Sequence, residues 1–214
     1  MEHHLIKMNE KKLRILAFSD LHADKTMHDE MVEKAKKENV DLVIIGGDFA
    51  AHHEPDFVMP NMIGDFLALG KKVFLLHGNL ETEATVNFLE DKYNVKSLHG
   101  HGVYYYGVGI FGGGGANLGP FPTSSEDTEN ALNIGFEKIK NAPKKMMIVH
   151  EHPKGSIMEK LTGFPGNPAV KNAIEKFQPD IVICGHIHEI AGIEERIGKS
   201  LVVNLARMGR VFEL

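Results

Sequence analysis

The sequence predicts an α/β fold, and two observations predict it. Short runs rich in Val, Ile, Leu and Phe alternate with segments at helical spacing, the pattern of buried parallel strands covered by helices. Five of those runs also end on residue types that ligate metals: Asp20 and His22 after LRILAFS, Asp48 after DLVIIGG, Asn79 after KVFLLHG, His150 after KKMMIV, and His186 with His188 after PDIVICG. In an open α/β sheet ligands gather in the crevice beyond the carboxyl ends of the strands, so these residues are expected to converge.

Taken in order, Leu13 to Phe18 reads as a strand buried on both faces, and Met27 to Asn39 carries the period of a helix. Asp41 to Ile45 is a second strand, Asp56 to Leu69 a helix, Lys72 to Leu76 a third strand, and Glu81 to Leu89 a short helix with Thr82 or Glu81 in its first turn. The middle changes character. His101 to Phe111 is rich in tyrosine and valine and is broken by Gly107 and Gly109, which predicts short antiparallel strands running into a glycine loop at Gly112 to Gly115. Thr123 to Lys140 returns to helix, with Thr123, Ser124 or Ser125 as N-cap and Glu126 and Asp127 suited to the first turn. Lys144 to Val149 and Asp180 to Cys184 are further buried strands, separated by a Gly and Pro loop around Gly163 to Pro168 and a helix near Ala169 to Phe177. Strands joined by a turn at Gly198 and Lys199 fill the tail.

At 214 residues and 43% apolar content the chain suits one domain, placed at 13–214 behind a flexible polar leader at 1–12. The formal net charge of -5 has its signs interspersed, so there is no basic stripe for nucleic acid and no polybasic membrane anchor. With no apolar run of about 18 residues and no signal-like start, a cytoplasmic protein is expected. The single cysteine, Cys184, lies in the run IVIC and is expected to be buried and inert. His77 is expected to be a backbone-bonded structural histidine, and His3, His4, His28, His99 and His101 surface or loop residues.

Two carboxylates, an amide oxygen and four imidazoles make a mixed oxygen and nitrogen donor set, which suits Mn, Fe, Co, Ni or Zn better than Mg or Ca. Seven ligands exceed one tetrahedral zinc. Two divalent ions about 3.5–4 Å apart need a shared ligand, and Asp48, on the tight Gly46-Gly47 turn, is the natural carboxylate to bridge them.

Asp20-Leu21-His22, Gly47-Asp48, Gly78-Asn79 with Glu81, His150, and Gly185-His186-Ile187-His188 resemble, in order, the motifs of the calcineurin-like metallophosphoesterase superfamily. The resemblance implies a four-layer α-β-β-α sandwich with two mixed β-sheets and a dinuclear centre. It assigns Asp20, His22 and His188 to one metal, Asn79, His150 and His186 to the other, and Asp48 to the bridge. It also implies phosphoester hydrolysis by a metal-bound hydroxide, with a small phosphoester, nucleotide-derived or otherwise, as the partner.

One position departs from the family. Many members carry Gly-Asn-His-Asp or Gly-Asn-His-Glu, but this chain has Gly78-Asn79-Leu80-Glu81, so the imidazole assigned to the leaving group is replaced by Leu80. General acid help is worth about 10²–10⁴-fold, and its loss handicaps poor leaving groups most, which favours diesters over alkyl monoesters. His152 is the candidate substitute acid, joining Asp48 and Asn79 as catalytic residues. His52, His53, Leu80 and Gly114 are candidates to contact substrate, Gly114 through a nest of backbone amides. Glu81, Glu151 and Glu189 adjoin ligands and are expected either to orient imidazoles or to be solvated charges. The alternatives are a phosphomonoesterase, or a non-catalytic interaction scaffold of the same fold such as the one in the retromer complex.

Overall fold

The computed structural model describes residues 12–50 and 55–214, with backbone alone at 55–60. The leader expected at 1–12 lies outside the described residues apart from Lys12, and so do His52 and His53. The first half alternates strictly: β1 (Arg14–Phe18), α1 (Lys25–Lys37), β2 (Leu42–Ile45), α2 (Pro55–Ala68), β3 (Lys72–Leu75), α3 (Glu83–Lys92) and β4 (Lys96–Ser97). Local chemistry sets the helix starts. Asp24 accepts hydrogen bonds from the amides of Thr26 and Met27 to cap α1, and Thr82 accepts from the Thr85 amide to cap α3.

The second half runs β5 (Gly102–Tyr105), β6 (Val108–Gly113), α4 (Ser125–Ile139), β7 (Lys144–Val149), α5 (Ile157–Thr162), α6 (Pro168–Phe177), β8 (Ile181–Cys184), β9 (Glu194–Ile197), β10 (Ser200–Asn204) and β11 (Arg210–Glu213). A five-stranded sheet has the order β11-β1-β2-β3-β4, and a six-stranded sheet has the order β5-β6-β7-β8-β10-β9. Both are mixed. β1, β2, β3 and β4 are parallel with β11 antiparallel at the edge, and β6, β7, β8 and β10 are parallel with antiparallel β5 and β9 outside them.

Strand alternation builds the layers. Ile15, Ala17, Leu42 and Ile44 of the first sheet share one apolar cluster with Ile110, Met146, Ile148 and Ile183 of the second, so the sheets pack face to face. The intervening residues Leu16, Phe18, Val43 and Ile45 pack on the α1 and α2 side, while Phe111, Met147, Val149 and Val182 pack on the α4 and α6 side. This is the four-layer α-β-β-α sandwich that the resemblance implies.

Three local expectations, at Gly112 and Gly113, at His28 and at His77, are corrected; the buried His77 ring is not backbone-bonded, its Nδ1 having no hydrogen-bond partner among the described residues. Gly112 and Gly113 belong to β6 rather than to a loop, because a Cβ on Gly112 would lie 2.7 Å from the Ile148 carbonyl and one on Gly113 2.9 Å from Leu132; the glycines admit close packing. β4 and α5 went unread because two residues, or six, carry too little periodicity. α5 is set by its ends, with Ser156 accepting from the Glu159 amide and Gly163 closing it at φ 73°. His28, expected at the surface, is buried, and its Nε2 donates to the Met62 carbonyl at 3.0 Å.

Candidate metal centre

The strand ends converge as the sequence implies. Two groups of ligand-type atoms form, each with its atoms within 4.8 Å of one another: Asp20, His22 and His188, and Asp48, His150 and His186. They come from both sheets, the aspartates following β1 and β2, His150 following β7, and His186 and His188 following β8.

In the first group the Nε2 atoms of His22 and His188 stand 3.1 Å apart. Both face Asp20 Oδ1, at 3.7 and 3.3 Å. The other Asp20 oxygen accepts the His186 amide at 3.0 Å, which joins this group to the second. Burial works to raise the Asp20 carboxyl, yet the bonds to His188 and His22 and the charge of His150 outweigh it and hold it far below the usual range.

In the second group His150 is fully buried, and its Nδ1 donates to the Gly46 carbonyl at 3.0 Å. That bond fixes the ring and turns Nε2 toward Asn79 Oδ1 at 3.2 Å and Asp48 Oδ2 at 3.4 Å. Asp48 Oδ1 accepts the Leu80 amide at 2.9 Å. Gly78 is obligatory beside it, since a Cβ there would sit 2.1 Å from Asp48 Oδ1. Burial, followed by the charge of His150, lowers His186 to about 4, so its ring is neutral.

Each group therefore gathers acidic oxygens and imidazole nitrogens around one point where positive charge is required, and an N/O donor set of this kind fits a first-row divalent ion. The backbone is bent to achieve this. Asp20, His22, Asp48 and His186 all have positive φ, at 60°, 49°, 48° and 70°, a conformation that costs energy for non-glycine residues and clusters at functional sites.

The sequence profile of the calcineurin-like phosphoesterase family matches residues 13–189. The chain belongs to that family. Among curated proteins none matches the sequence. Solved structures do match in fold. The Thermus thermophilus protein TT1561 superposes with a TM-score of 0.72 at 15% identity, covering 95% of this chain and 99% of its own. A dimetal phosphatase from Danio rerio gives 0.65 at 13% identity over 91% of this chain and 87% of its own. A protein described as a novel archaeal phosphodiesterase gives 0.52 at 18% identity over 94% and 100%.

Leu80 is buried and serves the centre through its backbone amide. The Gly114 amide donates to His99 Nδ1 and the Gly115 amide to the His77 carbonyl, so both are engaged within the protein. His152 is buried, its Nε2 donating to the Phe164 carbonyl at 3.2 Å and its Nδ1 without a partner among the described residues. Cys184 is buried, and burial pushes its thiol up. No helix among the described residues is long and apolar enough to cross a membrane.

The glutamates do something other than orient imidazoles. Glu81 accepts the amides of Ala50, Gly78 and Asp48 at 2.8, 2.9 and 3.1 Å, binding together the turns after β2 and β3. Glu151 Oε2 accepts the side-chain amides of Asn117 and Asn167, and Glu189 is exposed. Sequence reasoning missed two supports beyond residue 189. Buried Asn204 donates to the carbonyls of Gly185 and Ile187, shaping the turn that carries His186 and His188. Arg207 donates to the carbonyls of Asp20 and Leu21. The one signal for Asn204 was a polar residue ending the apolar run LVV.

The His150 and Asp48 pair is expected to make metal uptake pH-dependent. Burial alone lowers His150, but the charge and hydrogen bond of Asp48, aided by Asp20, raise it from 6.5 to about 10. Between those values the metal-free folded protein holds a proton that the unfolded chain has released. Its stabilisation is complete below pH 6.5 and lost as pH rises to about 10. An ion must displace that proton, so apparent affinity is expected to rise about tenfold per pH unit across this window. Calorimetric titration with Mn or Zn at pH 7 and 8, in buffers of different ionisation enthalpy, is expected to show at least one proton released per centre filled; affinity independent of pH would refute this.

Proposed function

We propose that this calcineurin-like phosphoesterase is a dinuclear metal-dependent phosphodiesterase. The observation that carries the reading is the pair of His and Asp groups joined through Asp20 and the His186 amide. Asp20, His22 and His188 would hold one divalent ion and Asn79, His150 and His186 the other, with Asp48 as the ligand they would share. Two such ions, when bound, lower the pKa of water and neutralise charge on the phosphoryl oxygens. Asp48 supplies the shared negative charge, its orientation fixed by the Leu80 amide. His150, whose Nδ1–H is committed to the Gly46 carbonyl, offers Nε2 as a ligand once its second proton is displaced.

Preference for diesters follows from Leu80. Its side chain offers no proton to a leaving alkoxide, and the His152 Nε2 proton is engaged with a carbonyl. Diesters with good leaving groups need that proton least. Metal-stripped protein reloaded with Mn, Fe, Co, Ni or Zn is expected to cleave an aryl phosphodiester faster than an alkyl phosphomonoester by about 10²-fold. Preference for the alkyl monoester would establish a phosphomonoesterase instead, and no turnover with any ion would favour the scaffold.

A further inference from the structure

The side chains of His150 and Asp48 are held by hydrogen bonds with the backbone, one to the Gly46 carbonyl and one from the Leu80 amide. Asn79, whose Oδ1 stands 3.2 Å from His150 Nε2, is held by contact instead. A terminal amide turns about a broad torsion, so its oxygen keeps one direction only where neighbours bar the others. Gly119 is that neighbour: a Cβ there would lie 2.4 Å from Asn79 Nδ2 and 2.7 Å from its Cγ, so the Gly119 backbone lies against the amide. Only glycine accepts both this contact and the φ of 128°. The Phe121 amide donates to the Asn79 carbonyl at 3.1 Å, so the same segment also grips the main chain of Asn79.

That segment lies outside every strand and helix, and residues 117–120 are exposed. Asn117 links it to the interior. Its Nδ2 donates to Glu151 Oε2 at 2.9 Å, and its Oδ1 accepts the Ser125 hydroxyl at 3.1 Å. Glu151 is buried, and the same oxygen accepts Asn167 Nδ2 at 2.7 Å from the other side. Asn167 is itself fixed, since it is fully buried, its Oδ1 accepts the Ala169 amide at 2.8 Å and its own amide donates to the His152 carbonyl at 2.8 Å. A carboxylate oxygen suits this junction, because its lone pairs can accept one amide from each loop.

We propose that Glu151 is a positioning residue for the ion assigned to Asn79, His150 and His186, an inference that rests on the dinuclear reading above. Through Asn117 it holds Gly119 against Asn79, and Gly119 keeps the Asn79 oxygen facing His150 Nε2, as sharing an ion with that nitrogen requires. Glu151 thus serves an amide ligand across the site, although in sequence it adjoins an imidazole one. Groups that orient ligands in this way contribute about 10–100-fold to metal affinity.

The test loads the full metal-stripped chain with Mn and reads the ion count, the affinity for each ion by calorimetry, and the EPR spectrum, in which a coupled pair differs from an isolated ion. The parent is expected to bind a coupled pair. Asn117→Ala, an exposed change that removes the link to Glu151, and Gly119→Ala, whose Cβ displaces the Asn79 amide, are each expected to weaken the second ion about tenfold or more. At limiting Mn their spectrum becomes that of an isolated ion, while affinity for the first ion and the metal-free melting temperature hold. Glu151→Ala is expected to behave alike, and Glu151→Gln, which retains an acceptor oxygen, to restore the pair. A parent that binds a single ion would end the dinuclear reading and this inference with it. A coupled pair in the parent that Asn117→Ala and Gly119→Ala both retain at full affinity would overturn the inference alone. So would loss of the second ion in Glu151→Ala but not in Asn117→Ala, which would assign the effect of Glu151 to its neighbour His150.

Discussion

Replacing Asp48 with asparagine is expected to abolish measurable turnover, with a loss on the order of 10³-fold or more, and to lower metal content in the same protein. The substitution keeps the shape of the side chain, so the carbonyl oxygen can still accept the Leu80 amide. What disappears is the negative charge opposite His150 Nε2, at 3.4 Å. The charge of Asp48 is also the largest influence raising His150, so the variant loses affinity for protons and metal ions together. Metal analysis of the purified variant beside its rate with an aryl diester checks both parts, and a variant retaining full activity would refute the bridging role.

Glu81→Ala is expected to be the most destabilising single change near the site. It strands the amides of Asp48, Ala50 and Gly78 in the interior, and each buried amide left without a partner costs about 1–3 kcal/mol. A loss of about 3 kcal/mol or more in denaturant unfolding is the expected result, with activity falling because the turns carrying Asp48 and Asn79 are no longer tied together. Glu81→Gln keeps one acceptor oxygen and is expected to lose less. Burial, and after it the charge of Asp48, raises the Glu81 carboxyl from 4.5 to about 7 against the pull of the amides. The folded protein therefore holds a proton here that the unfolded chain gives up, and this site's contribution to stability falls as pH climbs from 4.5 to 7. Equal stability of Glu81→Ala and the parent would dismiss the tie.

The ligand set was readable because each member stands where an apolar run stops, and a run such as LRILAFS announces both the strand and its end. The sandwich itself was less so, since nothing local in RVFE says that β11 returns to the first sheet beside β1 while β10 joins the second beside β8. Pairing across such distances is decided by packing rather than by propensity. His186 and His188 show the limit at residue scale. Alternation would send them to opposite faces, but His186 adopts φ 70° and His188 opens a 3-10 turn, so both rings reach the centre. That geometry rests on Asn204, whose role depends on a contact no spacing rule encodes. The glutamates were noticed for their neighbours, yet Glu81 serves backbone amides of the turns, a function invisible without coordinates.

Because ligands come from the ends of both sheets, the centre has a place in time as well as in space. His22 and His188, whose ring nitrogens meet, are 166 residues apart in the chain. The turn presenting the second of them is shaped by Asn204, which is translated later still. A chain growing from the ribosome at about 5–20 residues per second passes many seconds with Asp20, Asp48 and Asn79 already made and no imidazole partner from the second sheet. A dinuclear centre of the kind proposed would therefore be completed only after most of the chain has been made.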